Sequence, residues 1–324
     1  MPSPRALITG ITGQDGSYLA ELLLGEGYDV VGLVRRDPAE RLPNVEHLRG
    51  EIELVRGDLA SADSLSGAVT SSKADEVYHL AAPTFVPDSW KRPAETFAAI
   101  AGATAAVLTG ARDAGRGAHV FVATSSEIFG RASESPQSEE TPARPASPYG
   151  VAKLAAHLLA GVVRERDGLH VSSGITYNHE SPRRPDRFVS RKVTRAAAAI
   201  SLGLERELVL GNLDAVRDWC FAGDVMRATW AMVRHPEPGD YVVASGVGRT
   251  VRELVSAAFA CVDLDPDEHV RVDPALVRPA EEVPLVGDPS RARAELGWEP
   301  RTSFEEMIAA MVEADLRELA PQRS

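Results

Sequence analysis

Residues 9–19 read Thr9-Gly10-Ile11-Thr12-Gly13-Gln14-Asp15-Gly16-Ser17-Tyr18-Leu19, and the fold is decided there. Three glycines spaced G-x-x-G-x-x-G follow the apolar run Ala6, Leu7, Ile8 and lead into a stretch with helical periodicity. Glycine lets a backbone turn tightly and approach a ligand closely. A helix opening after Gly16 would direct its leading N–H groups and positive dipole end at an anion. At a first strand–helix junction the usual anion is the pyrophosphate of a dinucleotide. Three glycines alone would also suit an ordinary turn; their place between strand and helix is what favours the nucleotide.

Outward from this loop, short apolar runs alternate with helical stretches. Strands are expected over residues 6–9, 29–34, 51–56, 76–80, 119–123 and 171–177, and helices over 17–26, 61–71, 93–114 and 148–166. Strands separated by helices argue for an α/β fold, a Rossmann-type doubly wound parallel sheet with right-handed crossovers. The pattern changes after residue 177. Helices are expected over 189–202, 222–234, 251–262 and 304–319, with strands at 208–210 and 241–244. The division is therefore 1–177, a nucleotide-binding domain, and 178–324, a smaller mixed α/β lobe, with segments free to cross between them. Residues 37–49 and the Ser-, Pro- and Glu-rich stretch 131–147 are expected to be loops, the latter at the mouth of a site.

The 324 residues carry 47 Asp and Glu against 35 Lys and Arg, a formal net charge of -12. Nucleic acid is not an expected partner, because phosphate neutralisation needs clustered cations. A few placed Arg residues still suffice for one diphosphate. Two cysteines, Cys220 and Cys261, are too few for a disulfide framework and suit a reduced, cytoplasmic setting. No signal peptide, membrane span or metal is expected.

The second strand runs into Arg35 and Arg36, where NAD-binding folds commonly place an acid for the ribose 2′-hydroxyl. A guanidinium suits a 2′-phosphate, so NADP is expected over NAD. The alternative is a solvated pair of surface charges. Asp58, after the third strand, is either an adenine contact or a local turn cap. The fifth strand ends in Thr124-Ser125-Ser126-Glu127, and Tyr149 and Lys153 stand four apart on one helix face. An ammonium beside a phenol favours phenolate, a base able to take a hydroxyl proton as hydride leaves the same carbon. A surface Tyr/Lys pair is the bland alternative.

The glycine loop with Tyr149 and Lys153 resembles the extended short-chain dehydrogenases. More specific runs are similar to the GDP-mannose 4,6-dehydratases: ITGITGQDGSYLAE from residue 8, SSEIFG from 125, SPYGVAKL from 147, YNHESPRR from 177, RKVTRA from 191, LGNLDAVRDW from 210 and RPAEEVPLVGDP from 278. The resemblance implies dehydration of GDP-mannose to GDP-4-keto-6-deoxymannose with NADP as cofactor. It implies that Tyr149 deprotonates the sugar C4 hydroxyl, that Ser125 binds the C4 oxygen, and that Lys153 tunes Tyr149 and holds the nicotinamide ribose. Glu127 would remove the C5 proton and help water leave C6. Gly10, Thr12, Gly13, Gln14, Asp15, Gly16, Arg35, Arg36, Asp58, Leu59, Leu80, Tyr149, Lys153 and His179 would contact the cofactor. Asn178, Lys192, Arg217, Arg278 and Glu281 would contact the GDP-sugar. A homodimer or homotetramer is implied, the dimer pairing through helices that begin near Pro93 and Pro148. The competing readings are an epimerase or 4-keto reductase on the same scaffold and a non-catalytic NADP sensor. Glu127 argues against the epimerase, and intact Ser125, Tyr149 and Lys153 argue against the sensor. Three positions depart from the family pattern: Pro83, Ser125 in place of Thr, and Phe129 in place of Tyr.

Overall fold

A computed structural model describes residues 3–35, 37, 39–276 and 283–320. In chain order the first half comprises β1 (Arg5–Thr9), α1 (Gln14–Gly25), β2 (Asp29–Val34), β3 (Ile52–Arg56), α2 (Ala62–Ser72), β4 (Glu76–His79), α3 (Val86–Lys91), α4 (Pro93–Phe97), a π-helical turn (Ala98–Gly102), α5 (Ala103–Asp113), β5 (His119–Ala123), α6 (Pro148–Asp167) and β6 (Val171–Thr176). The second half comprises β7 (Asn178–Glu180), α7 (Val189–Ser201), β8 (Leu208–Leu210), β9 (Val216–Phe221), α8 (Ala222–Arg234), β10 (Asp240–Val243), β11 (Gly248–Thr250), α9 (Val251–Ala260), α10 (Pro266–His269), β12 (Val270–Val272), α11 (Ser290–Leu296) and α12 (Phe304–Leu319).

Among the described residues, seven parallel strands form the main sheet in the order β10-β6-β5-β4-β1-β2-β3. Both faces are covered. In β1, Ala6 and Ile8 join one core with Leu19 and Phe121, while Leu7 joins the other with Val31, Val77 and Val107. That alternation is the period of two of a strand buried on both sides. Each such Leu or Ile contributes roughly 1.5–3 kcal/mol through burial.

Local chemistry sets several helix ends. Ser147 caps α6, its hydroxyl accepting from the Gly150 N–H, with Pro148 in the first turn. Ser303 and Glu306 form a capping box at α12. The helix after the glycine loop begins at Gln14, not after Gly16. Gly13 occupies the cap position, so the third glycine is already helical. The expected helix 93–114 is divided into α4, the π turn and α5. This stretch is long and apolar enough to cross a membrane by composition; it packs against α2 and α6.

In the second half, residues 222–243 cross back to the main sheet: α8 packs on α1, β5 and β6, and β10 pairs with β6, Val242 opposite Ile175. The short strands β7, β9 and β11 form a separate sheet, and β8 pairs with β12. A third apolar core gathers Val193, Leu208, Trp219, Leu254, Phe259 and Met311 from α7, β8, β9, α9 and α12. Inside it the Arg191 guanidinium meets the fully buried Asp315 carboxylate at 2.7 Å, and Thr194 donates to the same carboxylate at 2.8 Å.

Candidate active site

In an open parallel sheet, ligands sit beyond the carboxyl ends of the strands, where the strand order reverses. Here that point lies between β1 and β4. The glycine loop leaves β1 there. Gly10 has φ +78°, and a Cβ on it would stand 2.9 Å from the Ala81 N, so only glycine fits against the segment after β4. Among the described residues no side chain caps the α1 N-terminus, and Thr12 and Gly13 are exposed beside it. An uncapped twelve-residue helix with exposed residues at its start fits a pyrophosphate. Arg35, exposed at the end of β2, suits the 2′-phosphate of NADP. Arg36 lies outside the described residues. Asp58 accepts from the Ala60 N–H at 3.0 Å, so its side chain makes a local turn. Leu59 and Leu80 are half-buried beside the two faces of the sheet.

Gln14 and Asp15 point across the cleft to the segment after β6. Gln14 Nε2 donates to the His179 carbonyl at 3.1 Å, and Ser181 donates to Gln14 Oε1 at 2.8 Å. His179 Nε2 lies 3.0 Å from the Asp15 carboxylate and Nδ1 lies 2.7 Å from the Tyr177 carbonyl. Both partners only accept, so both ring nitrogens donate and His179 is an imidazolium. Burial opposes this charge, but Asp15 raises the His179 pKa above its ordinary value. Burial also opposes Asp15 ionisation, yet His179 and Gln14 hold it down at about 2. Arg183 ties the same segment to α1, donating to Ser17 at 2.9 Å and stacking over the Tyr18 ring at 4.0 Å.

The catalytic candidates converge on the neighbouring strand ends. Ser125 caps the short turn after β5, accepting from the Glu127 N–H at 3.3 Å. Tyr149 and Lys153 are buried on α6. Lys153 Nζ donates to the Ala123 carbonyl at 2.7 Å and stands 5.8 Å from the centre of the Tyr149 ring. Burial pushes the Tyr149 pKa up; a hydrogen bond with Ser125 and the Arg184 charge lower it, while Glu127 and Asp15 raise it. Burial dominates, and the opposing influences come from Ser125 and Arg184. Burial brings Lys153 itself down to about 8, against the pull of Asp15.

Two further groups complete this floor. The Ala81 N–H donates to Thr9 Oγ1 at 3.1 Å, and the Thr9 hydroxyl shares a hydrogen bond with His79 Nδ1 at 2.9 Å. Burial together with Lys153 lowers the His79 pKa to about 3. Thr9, His79, Arg183 and Arg184 were not singled out from the sequence as site residues. The doubled arginine after Asn178-His179-Glu180 was the available signal. Arg184 stacks on the Phe188 ring at 3.7 Å with its Nε 3.0 Å from the buried Glu180 carboxylate.

On the nucleotide-sugar side, β7 pairs with β9, Asn178 opposite Trp219, which brings Asn178 and Arg217 onto adjacent strands. Arg217 donates to the Val216 carbonyl at 2.7 Å. Lys192 is exposed on α7 and donates to the Val209 carbonyl of β8 at 2.7 Å. Arg278 and Glu281 lie outside the described residues.

The comparisons with known proteins agree in direction. The family model described as GDP-mannose 4,6 dehydratase matches residues 7–311. GDP-mannose 4,6 dehydratase 2 of Arabidopsis thaliana is 44% identical over 97% of this chain and 87% of its own length. GDP-mannose 4,6-dehydratase of Yersinia enterocolitica is 41% identical over 97% of this chain and 94% of its own. Among solved structures, RMD from Pseudomonas aeruginosa complexed with NADPH superposes with a TM-score of 0.84 at 25% identity, covering 98% of this chain and 100% of that one. A glycine loop, a buried Ser–Tyr–Lys set with Glu127 beside it and a family match over almost the whole length lead to one assignment: the chain belongs to the GDP-mannose 4,6-dehydratase family.

Proposed function

We propose that this enzyme removes water from GDP-mannose to give GDP-4-keto-6-deoxymannose, with NADP as its cofactor. The observation that carries the reading is Glu127, an acid/base held by the Ser125 cap and close enough to Tyr149 to raise its pKa. An epimerase needs only the Ser–Tyr–Lys set; elimination also needs a group at C5 and C6.

Gly10, Thr12, Gly13, Gly16 and the α1 N-terminus would hold the pyrophosphate, with Gln14 and Asp15 bracing that end against His179. Arg35 and Arg36 would hold the 2′-phosphate. NADP, when bound, supplies an acceptor for the C4 hydride and later its donor to C6. Tyr149 takes the C4 hydroxyl proton, helped by the Ser125 hydrogen bond and the Arg184 charge that oppose the effect of burial. Lys153 holds the nicotinamide ribose and the Ala123 carbonyl. The C4 ketone acidifies the C5 proton. Glu127 takes that proton and passes one to the C6 hydroxyl, which leaves as water with the C5–C6 double bond formed; return of hydride to C6 is then balanced by a proton at C5, the equivalent of the one Tyr149 took from the C4 hydroxyl. Asn178, Lys192, Arg217, Arg278 and Glu281 hold the GDP portion.

The functional unit is a homodimer. Trp90, Phe97, Val151, Leu158 and Val162 are exposed apolar residues of α3, α4 and α6, and exposed apolar surface favours association. The two free thiols, Cys220 and Cys261, suit the cytoplasm.

Mass spectrometry of purified protein with GDP-mannose and NADP tests the reaction. Loss of one water, absent in Glu127→Gln, is the expected result. An isomer of unchanged mass would make the enzyme an epimerase, and water loss from a different nucleotide sugar only would discard the substrate.

A further inference from the structure

Residues 131–147 have the composition of a mobile surface loop, yet Gln137 within them is fully buried. Every polar atom of that residue is bonded. Its N–H donates to the Val286 carbonyl at 2.8 Å, and its carbonyl accepts from the Asp288 N–H at 2.7 Å. Nε2 donates to the carbonyls of Glu134 at 2.6 Å and Pro284 at 3.0 Å. Oε1 accepts from the Tyr177 hydroxyl at 2.9 Å and the Val286 N–H at 3.1 Å. Four of these six bonds reach one strap, residues 284–288.

The strap is gripped on its other side by the second half of the chain. Leu285 bridges to Arg217, and the Gly287 N–H donates to Asp218 at 3.2 Å. Asp218 also accepts from the Ser245 and Gly246 N–H groups, at 2.8 and 3.0 Å. Sideways movement is blocked: a Cβ on Gly287 would stand 2.4 Å from Ala244 Cβ and 2.8 Å from both Tyr177 and Val242. The loop, for its part, doubles back on the turn that carries Glu127. The Arg144 N–H donates to the Ile128 carbonyl and the Arg131 N–H to the Arg144 carbonyl, both at 2.9 Å. Backbone bonds thus tie the two ends of the loop to each other and to the turn that carries Glu127, and the bonds of buried Gln137 tie its middle to the strap, which pairs with Arg217. Buried amides of this kind are costly to leave unsatisfied, so the loop and the strap move together.

We propose that Gln137 is a positioning residue that couples occupancy of the nucleotide site, on the side of the cleft formed by Arg217 and the strap, to the placement of Glu127. This rests on the reading of the Arg217 side as the GDP-binding side.

Hydrogen–deuterium exchange of the full chain with and without GDP tests it. In the native protein GDP slows exchange both in 283–288 and in 126–147. In Gln137→Met, protection of 283–288 persists and protection of 126–147 is lost. In turnover the same variant loses about tenfold in kcat with KM for GDP-mannose within about twofold. Equal protection of 126–147 in both proteins overturns the proposal. Absence of protection anywhere in the native protein removes the GDP-side reading and the coupling with it. Should Gln137→Met not fold, Gln137→Glu serves. It keeps the bonds to Tyr177 and Val286 but sets an oxygen against the Glu134 and Pro284 carbonyls. Its kcat relative to native then rises as pH falls and the carboxyl gains the missing proton; a ratio flat with pH overturns the proposal.

Discussion

The two sides of the cleft are built in opposite ways. The residues that define the proposed cofactor and catalytic side are neighbours in sequence: residues 9–16 form one turn and helix start, and Tyr149 and Lys153 share one helix, with Gln14 and Asp15 reaching across to Ser181 and His179. The proposed nucleotide-sugar side is long-range throughout: β7, β9, the 245–246 turn and the strap 284–288 meet through Asp218 and Gln137. On the first side the sheet and α6 supply the rigidity that places Tyr149 and Lys153. On the second, buried polar groups hold the architecture together, so binding and stability rest on common residues. Substitutions should therefore separate activity from stability on one side and not on the other.

The sharpest test is Tyr149→Phe. Turnover should fall by roughly 10²–10⁴-fold, the usual contribution of a general acid–base group, while the melting temperature stays within about 2 °C, since the change is conservative in volume. A large drop in melting temperature would break the comparison. Next in size is Asp315→Ala, which takes the buried carboxylate from Arg191 and Thr194 and leaves Arg191 to the exposed Glu318 carboxylate at 3.0 Å; it should cost about 3–5 kcal/mol in denaturant unfolding. A loss under about 1 kcal/mol would show that this core does not depend on the pair.

Arg35→Ala should weaken NADP binding by about 1.5–3 kcal/mol, the range for a hydrogen bond to a charged group, and leave NAD binding unchanged. Equal weakening of both, by fluorescence titration, would remove Arg35 from the 2′-phosphate. The smallest effect concerns the Asp15–His179 pair. The raised His179 pKa contributes stability that is complete below the ordinary value of 6.5 and is lost as pH rises through the folded value. The lowered Asp15 pKa contributes stability present above 3.8 and lost as pH falls through about 2. The melting-temperature gap between native and His179→Gln should thus be widest between pH 3.8 and 6.5 and narrow above that window. A gap that widens on going to alkaline pH would show that the native ring is neutral.

This asymmetry also explains what was legible in the sequence. The glycine loop, the Tyr149/Lys153 spacing and the apolar strands declare themselves within a few residues, because strand and helix periods are local. The start of α1 was misplaced because Gly16, read as loop, sits in the first helical turn. Strands β7 and β9 escaped notice because Asn178, His179, Glu180, Arg217 and Asp218 are polar at positions where a strand signal needs apolar alternation. Gln137 was invisible because a Ser- and Pro-rich loop looks unstructured, and its main partners lie some 147 and 149 residues away. Arg184 was written into a recognised run, yet its influence on Tyr149 depends on tertiary placement alone.

The return of residues 222–243 to the main sheet carries a consequence for how this protein can be cut or recombined. A chain ending near residue 177 would leave β6 as a bare outer strand, its backbone donors and acceptors open to pairing with other molecules. The apolar side of α1 that α8 covers would be bared as well. The first half is therefore not a portable module. The second half supplies the last strand of its neighbour, so exchanging halves between relatives means exchanging part of the sheet on which α6 rests.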